Sequence, residues 1–327
     1  MSATPAIDRR ERATTVDAAQ PAGLYAPLGL REDPFPIEAL AGKWVDLPSQ
    51  RAPFTTIRDW LLSGETGLAV VRGAPGAGKT RLLDRLVHAT IDAGERLVGV
   101  VPDDGARRSD AQLLRASIVA LGGTPTGRTG LELTTELRAI LATHRDDPAP
   151  PALFVDHAAL TGSQLELVRA MLTTDEESAR VQIVLFGPPV LPDRIARRRS
   201  LAGTLRQAVA LSPLNLAETR TLLETRIAAV REPATDEPLF TPDAIELAWQ
   251  TAQGVPGMTL QIAHRALREA IATGSDRVGV SLVATATAAV ASGRGEPGAP
   301  NTDGAIQTRL TLPGLDDDVP RRRGRQR

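Results

Sequence analysis

The chain has 327 residues, with 38 basic and 39 acidic side chains and a formal net charge of −1. Hydrophobic residues make up 42% and charged residues 24%, which suits a globular protein of about one to three domains and excludes a mainly disordered chain. The balanced charge excludes global attraction to nucleic acid, and the absence of cysteine excludes disulfides, thiolate metal sites and cysteine nucleophiles.

The start, MSATPAIDRRER, has charges but no apolar stretch, so no signal peptide is expected. Residues 1–23 are polar and read as a flexible arm. Strand-like and helix-like segments then alternate. Gly67–Arg72 (GLAVVR) is a short apolar run ended by a Gly-rich turn, and Thr80–Thr90 carries Leu82, Leu83, Leu86 and Val87 at helical spacing. Arg96–Val101 is strand-like, and Ala111–Leu121 and Leu131–Thr143 are helical. Ala152–Val155 and Val181–Phe186 are compact apolar strands separated by an amphipathic stretch, Ser163–Leu172. Buried strands alternating with helices predict an α/β fold whose parallel sheet is covered on both faces.

After about Pro213 the strands stop. Leu216–Val230, Pro242–Thr251 and Leu260–Thr273 read as helices, with Thr241-Pro242 as a cap and first-turn pair. The longest uncharged stretch, Val278–Gly293, falls short of the roughly 20 apolar residues of a membrane helix. A soluble cytoplasmic protein without membrane contact is therefore expected. From about Ala289 the sequence turns Gly- and Pro-rich and ends in RRRGRQR, a disordered tail by composition.

Only two lysines occur, Lys43 and Lys79. Lys79 completes Gly73-Ala74-Pro75-Gly76-Ala77-Gly78-Lys79-Thr80, a full G-x-x-x-x-G-K-[ST] phosphate loop between a strand and an amphipathic helix. The glycines let backbone N–H groups curl around phosphate oxygens, and the helix N-terminus adds its positive end. Lys79 reaches the terminal phosphates, Thr80 offers a hydroxyl to magnesium, and Arg81 follows in the first turn of the helix. The complementary aspartate, which holds Mg2+ through its water shell, is Asp156 at the end of the strand ALFV. ATP and Mg2+ are the expected cofactors.

With these residues in place, the chain resembles the AAA+ ATPases of the ExeA, TniB, TnsC and MuB group over roughly residues 24–290. The segments that carry the resemblance are LGLREDPF (Leu28–Phe35), LLRASIVALGG (Leu113–Gly123), LFVDHAAL (Leu153–Leu160), VQIVLFGPPVL (Val181–Leu191), LSPLNLAETRTLLETRI (Leu211–Ile227), LFTPDAIELA (Leu239–Ala248) and GVPGMTLQIAHRAL (Gly254–Leu267). It implies a P-loop AAA+ core over 24–213 and a small all-helical lid over 214–288, with the arm at 1–23 and the tail at 289–327.

Several departures from the group fall on its hydrolytic machinery. The catalytic glutamate expected after Asp156 is His157, either a working base or an inert structural or partner-contact residue. The polar sensor expected after VQIVLFG is Pro188, and the arginine expected in the lid is Gly257. The second arginine of the group's L-R-Q-R run is Ala208, which leaves Arg206 as the nearest candidate finger for a neighbouring subunit. A general base is worth about 10²–10⁴ in rate, and an arginine finger about 10³–10⁵. Binding residues are intact while turnover residues are missing.

Arg194, Arg197, Arg198 and Arg199 are open to three readings: a solvated helix face, an intersubunit contact, or a contact to nucleic acid. The RRRGRQR tail at 321–327 is either a solubilising end or a phosphate-binding arm. The leading expectation is an ATP-binding switch that forms homo-oligomers, recruits a protein partner and hydrolyses ATP weakly or not at all. The alternatives are a competent DNA-associated ATPase of the transposition-regulator type and an ExeA-like assembly ATPase.

Overall fold

The computed structural model describes residues 23–36, 44–103, 108–156, 159–172, 180–232 and 237–291. Among these residues, five parallel strands form one sheet in the order β2-β3-β4-β1-β5: β1 (Gly67–Arg72), β2 (Val98–Val101), β3 (Ala152–Val155), β4 (Gln182–Gly187) and β5 (Leu205–Ala210). The alternation of side chains along each strand explains the unbroken apolar runs. Leu68, Val70, Leu153, Val155, Ile183 and Leu185 point to one face, and Ala69, Val71, Ala152, Phe154, Val184 and Phe186 to the other.

The first face is covered by α3 (Asp110–Ala120), α4 (Gly130–Thr143), α5 (Gly162–Leu172), α6 (Leu191–Ala196) and α7 (Arg199–Ala202). The second is covered by α1 (Pro48–Ser63) and α2 (Lys79–Asp92). The predicted helices and strands before Pro213 appear within about two residues of their expected ends. The sequence reading did not identify α1, α6, α7 or β5. Strand β5 is a half-exposed edge, so its sequence, LRQAVA, lacks the apolar run that marks a central strand.

A second, helical layer follows: α8 (Leu216–Val230), α9 (Pro242–Ala252), α10 (Pro256–Thr273) and α11 (Val280–Ala291). Thr241 caps α9 as expected, accepting a hydrogen bond from the Ala244 N–H at 3.3 Å. The uncharged stretch from Val278 becomes α11, whose Val283 and Ala286 are buried in this layer. No helix among the described residues is long and apolar enough to cross a membrane.

The N-terminal segment packs against these helices. The sequence reading placed residue 24 onward with the α/β portion. Instead Tyr25, Leu28, Leu30 and Phe35 are buried with Leu223, Ile227 and Leu267, and Leu30 bridges to Arg231. Four large apolar side chains in one short segment need a core, and the helical layer supplies it. The chain therefore passes from the helical layer to α1, and Glu218 ties the two together. Its carboxylate takes part in the Asn215 capping box of α8 and also accepts the Ser49 N–H of α1 at 2.7 Å. One buried carboxylate thus serves two helix N-termini.

Beneath the sheet, half-buried Arg96 donates to Leu61 O at 3.1 Å, to Pro150 O, and to Gln182 Oε1 at 2.5 Å. Burial lowers its pKa to about 10. Gln182 in turn donates to Trp60 O and Glu65 O at 3.0 and 2.9 Å. Gln182→Leu would leave a half-buried cation and two carbonyls each short of one partner. The expected cost is about 2–3 kcal/mol, read as a lower denaturation midpoint with an unchanged slope in urea.

Candidate nucleotide site

The phosphate loop springs from the carboxyl end of β1, the sheet edge at which open parallel sheets bind ligands. Gly73 N–H donates to Gly187 O at the end of β4, at 3.1 Å. Gly76 and Gly78 have φ of +75° and +95°, in the left-handed region where a side chain is strained. The loop then enters α2 at Gly78. Helices α3, α4 and α8 close their N-termini with full capping boxes, whereas α2 starts with no side-chain cap and no acidic residue in its first turn. Its first N–H groups are left for an anion, with the positive end of the helix behind them.

The side chains agree with that reading. Lys79 Nζ donates to the loop's own carbonyls, Gly73 O at 3.0 Å and Ala74 O at 2.9 Å. Burial holds its pKa below the ordinary lysine value, partly offset by the carboxylates of Asp156 and Asp103. Thr80 Oγ1 donates to Asp156 Oδ2 at 2.8 Å, so the two residues expected on the magnesium side meet although 76 positions apart. Asp156 is buried, and its N–H is fixed to Val101 O at 2.9 Å, beside the carboxyl end of β3. A hydroxyl and a carboxylate form a hard-oxygen pair suited to a hydrated Mg2+ that completes its shell with water and phosphate. No group of three or more His, Asp or Glu gathers among the described residues, so an all-protein metal cage is not offered there.

The other expected site residues separate. Pro188 directly follows β4 at the same sheet edge, where it can donate no hydrogen bond. His157 lies outside the described residues, as does the tail at 321–327. Arg206 lies at the start of β5, on the edge opposite the phosphate loop. It is the extra residue of a β-bulge between the Leu68 and Ala69 pairings, and its Nε lies 2.6 Å from Glu65 Oε1. The structure therefore does not bring Arg206 to this chain's own nucleotide site. Arg197 and Arg199 are exposed, while Arg198 turns inward to Arg194 O at 3.1 Å and lies 3.7 Å from Glu166.

Several site residues had no sequence signal. Gln50, in the first turn of α1, is buried, and its Nε2 lies 3.5 Å from where a Cβ on Gly78 would sit. The lid touches the loop directly: Gly257 N–H donates to Gly76 O at 2.9 Å. A Cβ on Gly257 would sit 2.9 Å from Gly76 Cα and 3.1 Å from Gly76 O. The position where the resemblance expected an arginine is thus a backbone-to-backbone contact with no room for a side chain.

Comparison with known proteins fits this geometry. Residues 62–195 match the model of a family described as an AAA domain. The chain is 18% identical to Cdc6p from Pyrobaculum aerophilum, with a TM-score of 0.61 over 76% of this chain and 68% of that one. It is 17% identical to the Aeropyrum pernix ORC2 protein in its ADPNP–ADP complexes, with a TM-score of 0.58 over 74% and 68%. Against Drosophila ORC bound to DNA, the values are 17% and 0.57 over 88% and 71%. At these identities the likeness concerns the fold. No curated protein matches the chain. The finer resemblance to the ExeA, TniB, TnsC and MuB group rests on the sequence motifs alone. Family model and fold together place an AAA domain at residues 62–195, on a P-loop AAA+ core followed by a helical C-terminal region.

Proposed function

We propose that this protein is an ATP-binding switch, which assembles or recruits a partner when nucleotide is bound and hydrolyses ATP weakly or not at all. One contrast carries the reading. The phosphate-holding parts are assembled, with Lys79 on the loop and Thr80 bonded to Asp156. The expected sensor of the terminal phosphate is replaced by Pro188, which cannot donate, and the expected lid arginine by Gly257, whose surroundings exclude a side chain. Binding and turnover use different groups, so the first can persist when the second is lost.

In the bound state the loop N–H groups and Lys79 would hold the phosphates, and Thr80 and Asp156 the hydrated Mg2+. Magnesium supplies charge neutralisation between the phosphates. The protein's own part is to fix Lys79 and Asp156 and to keep the lid against Gly76. Assembly would run between copies of this chain, with exposed Arg197 and Arg199 free to contact a neighbour or nucleic acid.

The test is steady-state phosphate release from ATP and Mg2+, with and without duplex DNA, using Lys79→Ala as the blank. Turnover indistinguishable from the blank is expected, because losing a general base alone removes about 10²–10⁴ in rate. Clear turnover above the blank would overturn weak hydrolysis. Stimulation of that turnover by DNA would favour the transposition-regulator reading.

A further inference from the structure

Gln50, the third residue of α1, is only 8% exposed, and its side-chain amide makes no hydrogen bond among the described residues. A glutamine at this position of a helix ordinarily turns back to the N–H three residues earlier. Two glutamines of this chain do so. Gln112 accepts the Ser109 N–H at 2.7 Å, and Gln164 accepts the Thr161 N–H at 2.8 Å. Gln50 does not turn back to Leu47, and α1 has no side-chain cap. The other donors of that first turn do not use it either. Pro48 has no N–H, Ser49 N–H goes to Glu218 Oε1, and the N–H groups of Gln50 and Arg51 both go to Leu47 O at 3.0 Å. A buried amide left without a partner costs free energy, so capping does not account for its position.

The direction of the side chain does. Its Nε2 lies 3.5 Å from the point a Cβ on Gly78 would take. Apart from Ala77 and Lys79, no other residue described places a heavy atom within 4 Å of that point. The amide tip therefore borders open space beside the phosphate loop. Gly78 is the residue before Lys79 and opens α2 without a side-chain cap. Gln50 thus approaches from α1 the same loop that Gly257 touches from the lid at Gly76. It brings a neutral donor to the place where a helix N-terminus and Lys79 gather positive charge.

We propose that Gln50 is a nucleotide-binding residue whose side-chain amide donates to the diphosphate of bound ATP or ADP from the α1 side of the loop. Phosphate oxygens are acceptors only, and a side-chain N–H beside Gly78 adds a donor to those of the loop. The inference rests on the nucleotide-binding reading above. It adds a specific expectation: the contact distinguishes neither ATP from ADP nor one base from another, because the diphosphate is common to all of them.

The experiment measures Kd for ATP, ADP and GTP, each with Mg2+, by titration calorimetry on the full chain. The melting temperature without nucleotide is measured alongside. Wild type is compared with Q50M, which keeps the length of the side chain without its donor, and with Q50E, which replaces the donor by a carboxylate. The expected result is a loss of about 10-fold for ATP and ADP in Q50M, with the ratio of ATP to GTP affinity unchanged. Q50E should lose at least as much, because its charge faces the phosphates. The melting temperature of Q50M without nucleotide should be unchanged or raised, because an unpartnered buried amide has been removed. Wild-type Kd values in either variant would overturn the proposal. So would a loss for ATP alone, which places the contact at the terminal phosphate, or a changed ATP to GTP ratio, which places it at the base. A lower melting temperature of Q50M alongside its weaker binding would make Gln50 a packing residue and overturn the assignment too. If Q50M does not fold, Q50E makes the same comparison, since an acidic residue in the first turn suits the N-terminus of α1. Wild type that binds none of the nucleotides would overturn the nucleotide-binding reading itself.

Discussion

Lys79→Ala lowers affinity for ATP by about two orders of magnitude and abolishes ATP-induced assembly. The magnitude follows from the two donor contacts of Lys79. The ammonium group now bridges Gly73 O and Ala74 O, and it can exchange those carbonyls for phosphate oxygens without moving far. Hydrogen bonds to charged groups are worth about 1.5–3 kcal/mol each. Losing about 3 kcal/mol corresponds to roughly a hundredfold in Kd. The substitution also frees two loop carbonyls, so the loop loses its internal tie as well as its cation. Calorimetry gives the affinity, and light scattering with and without ATP gives the assembly state. Assembly that persists in Lys79→Ala would show that nucleotide does not drive it, and the switch reading would be abandoned.

Gly257→Ala destabilises the protein by about 1–3 kcal/mol, the usual cost of forcing an added group into a filled site. The new Cβ would lie 2.9 Å from the Cα of Gly76, which is backbone and cannot swing aside. The first turn of α10 must retreat, and the hydrogen bond from Gly257 N–H to Gly76 O is lost with it. Gly257→Arg meets the same obstacle, so it will not restore the lid arginine. The expected result for both variants is a lower denaturation midpoint, with no gain in phosphate release. The lid contact also acts on the loop conformation, because Gly76 is one of its two left-handed residues. Both variants should therefore also weaken ATP binding. A Gly257→Arg protein that hydrolyses ATP faster than wild type would mean that the lid opens readily and that Gly257 is simply a missing sensor.

The sheet and the phosphate loop were legible in the sequence, since both depend on local signals. Central strands such as Val181–Phe186 are buried on both faces and appear as unbroken apolar runs. The loop needs glycine, lysine and threonine at fixed offsets. Asp156 was legible because a buried strand ending in aspartate is a local pattern too. Helices α1, α6 and α7 and strand β5 were not: α6 and α7 span only 6 and 4 residues, β5 alternates with solvent, and α1 carries Pro53 inside its span.

Only the tertiary structure decided which distant residues meet. Tyr25, Leu28, Leu30 and Phe35 join the helical layer because it, and not the sheet, has an apolar face left for them. Gln50 reaches Gly78, and Gly257 touches Gly76, because α1 and α10 both end their approach at the phosphate loop. Sequence spacing carries no information about such contacts. In the sequence Gly257 is a missing arginine, while in the fold it is the one residue type small enough for the lid to close. Arg226 is likewise one of 36 arginines in a chain with two lysines, so its type alone said little. Its burial, without a hydrogen bond for its Nε among the described residues, is what distinguishes it. Local chemistry determined that this protein has a phosphate-loop motif between a strand and a helix. The packing of one layer on the other determined which side chains surround it.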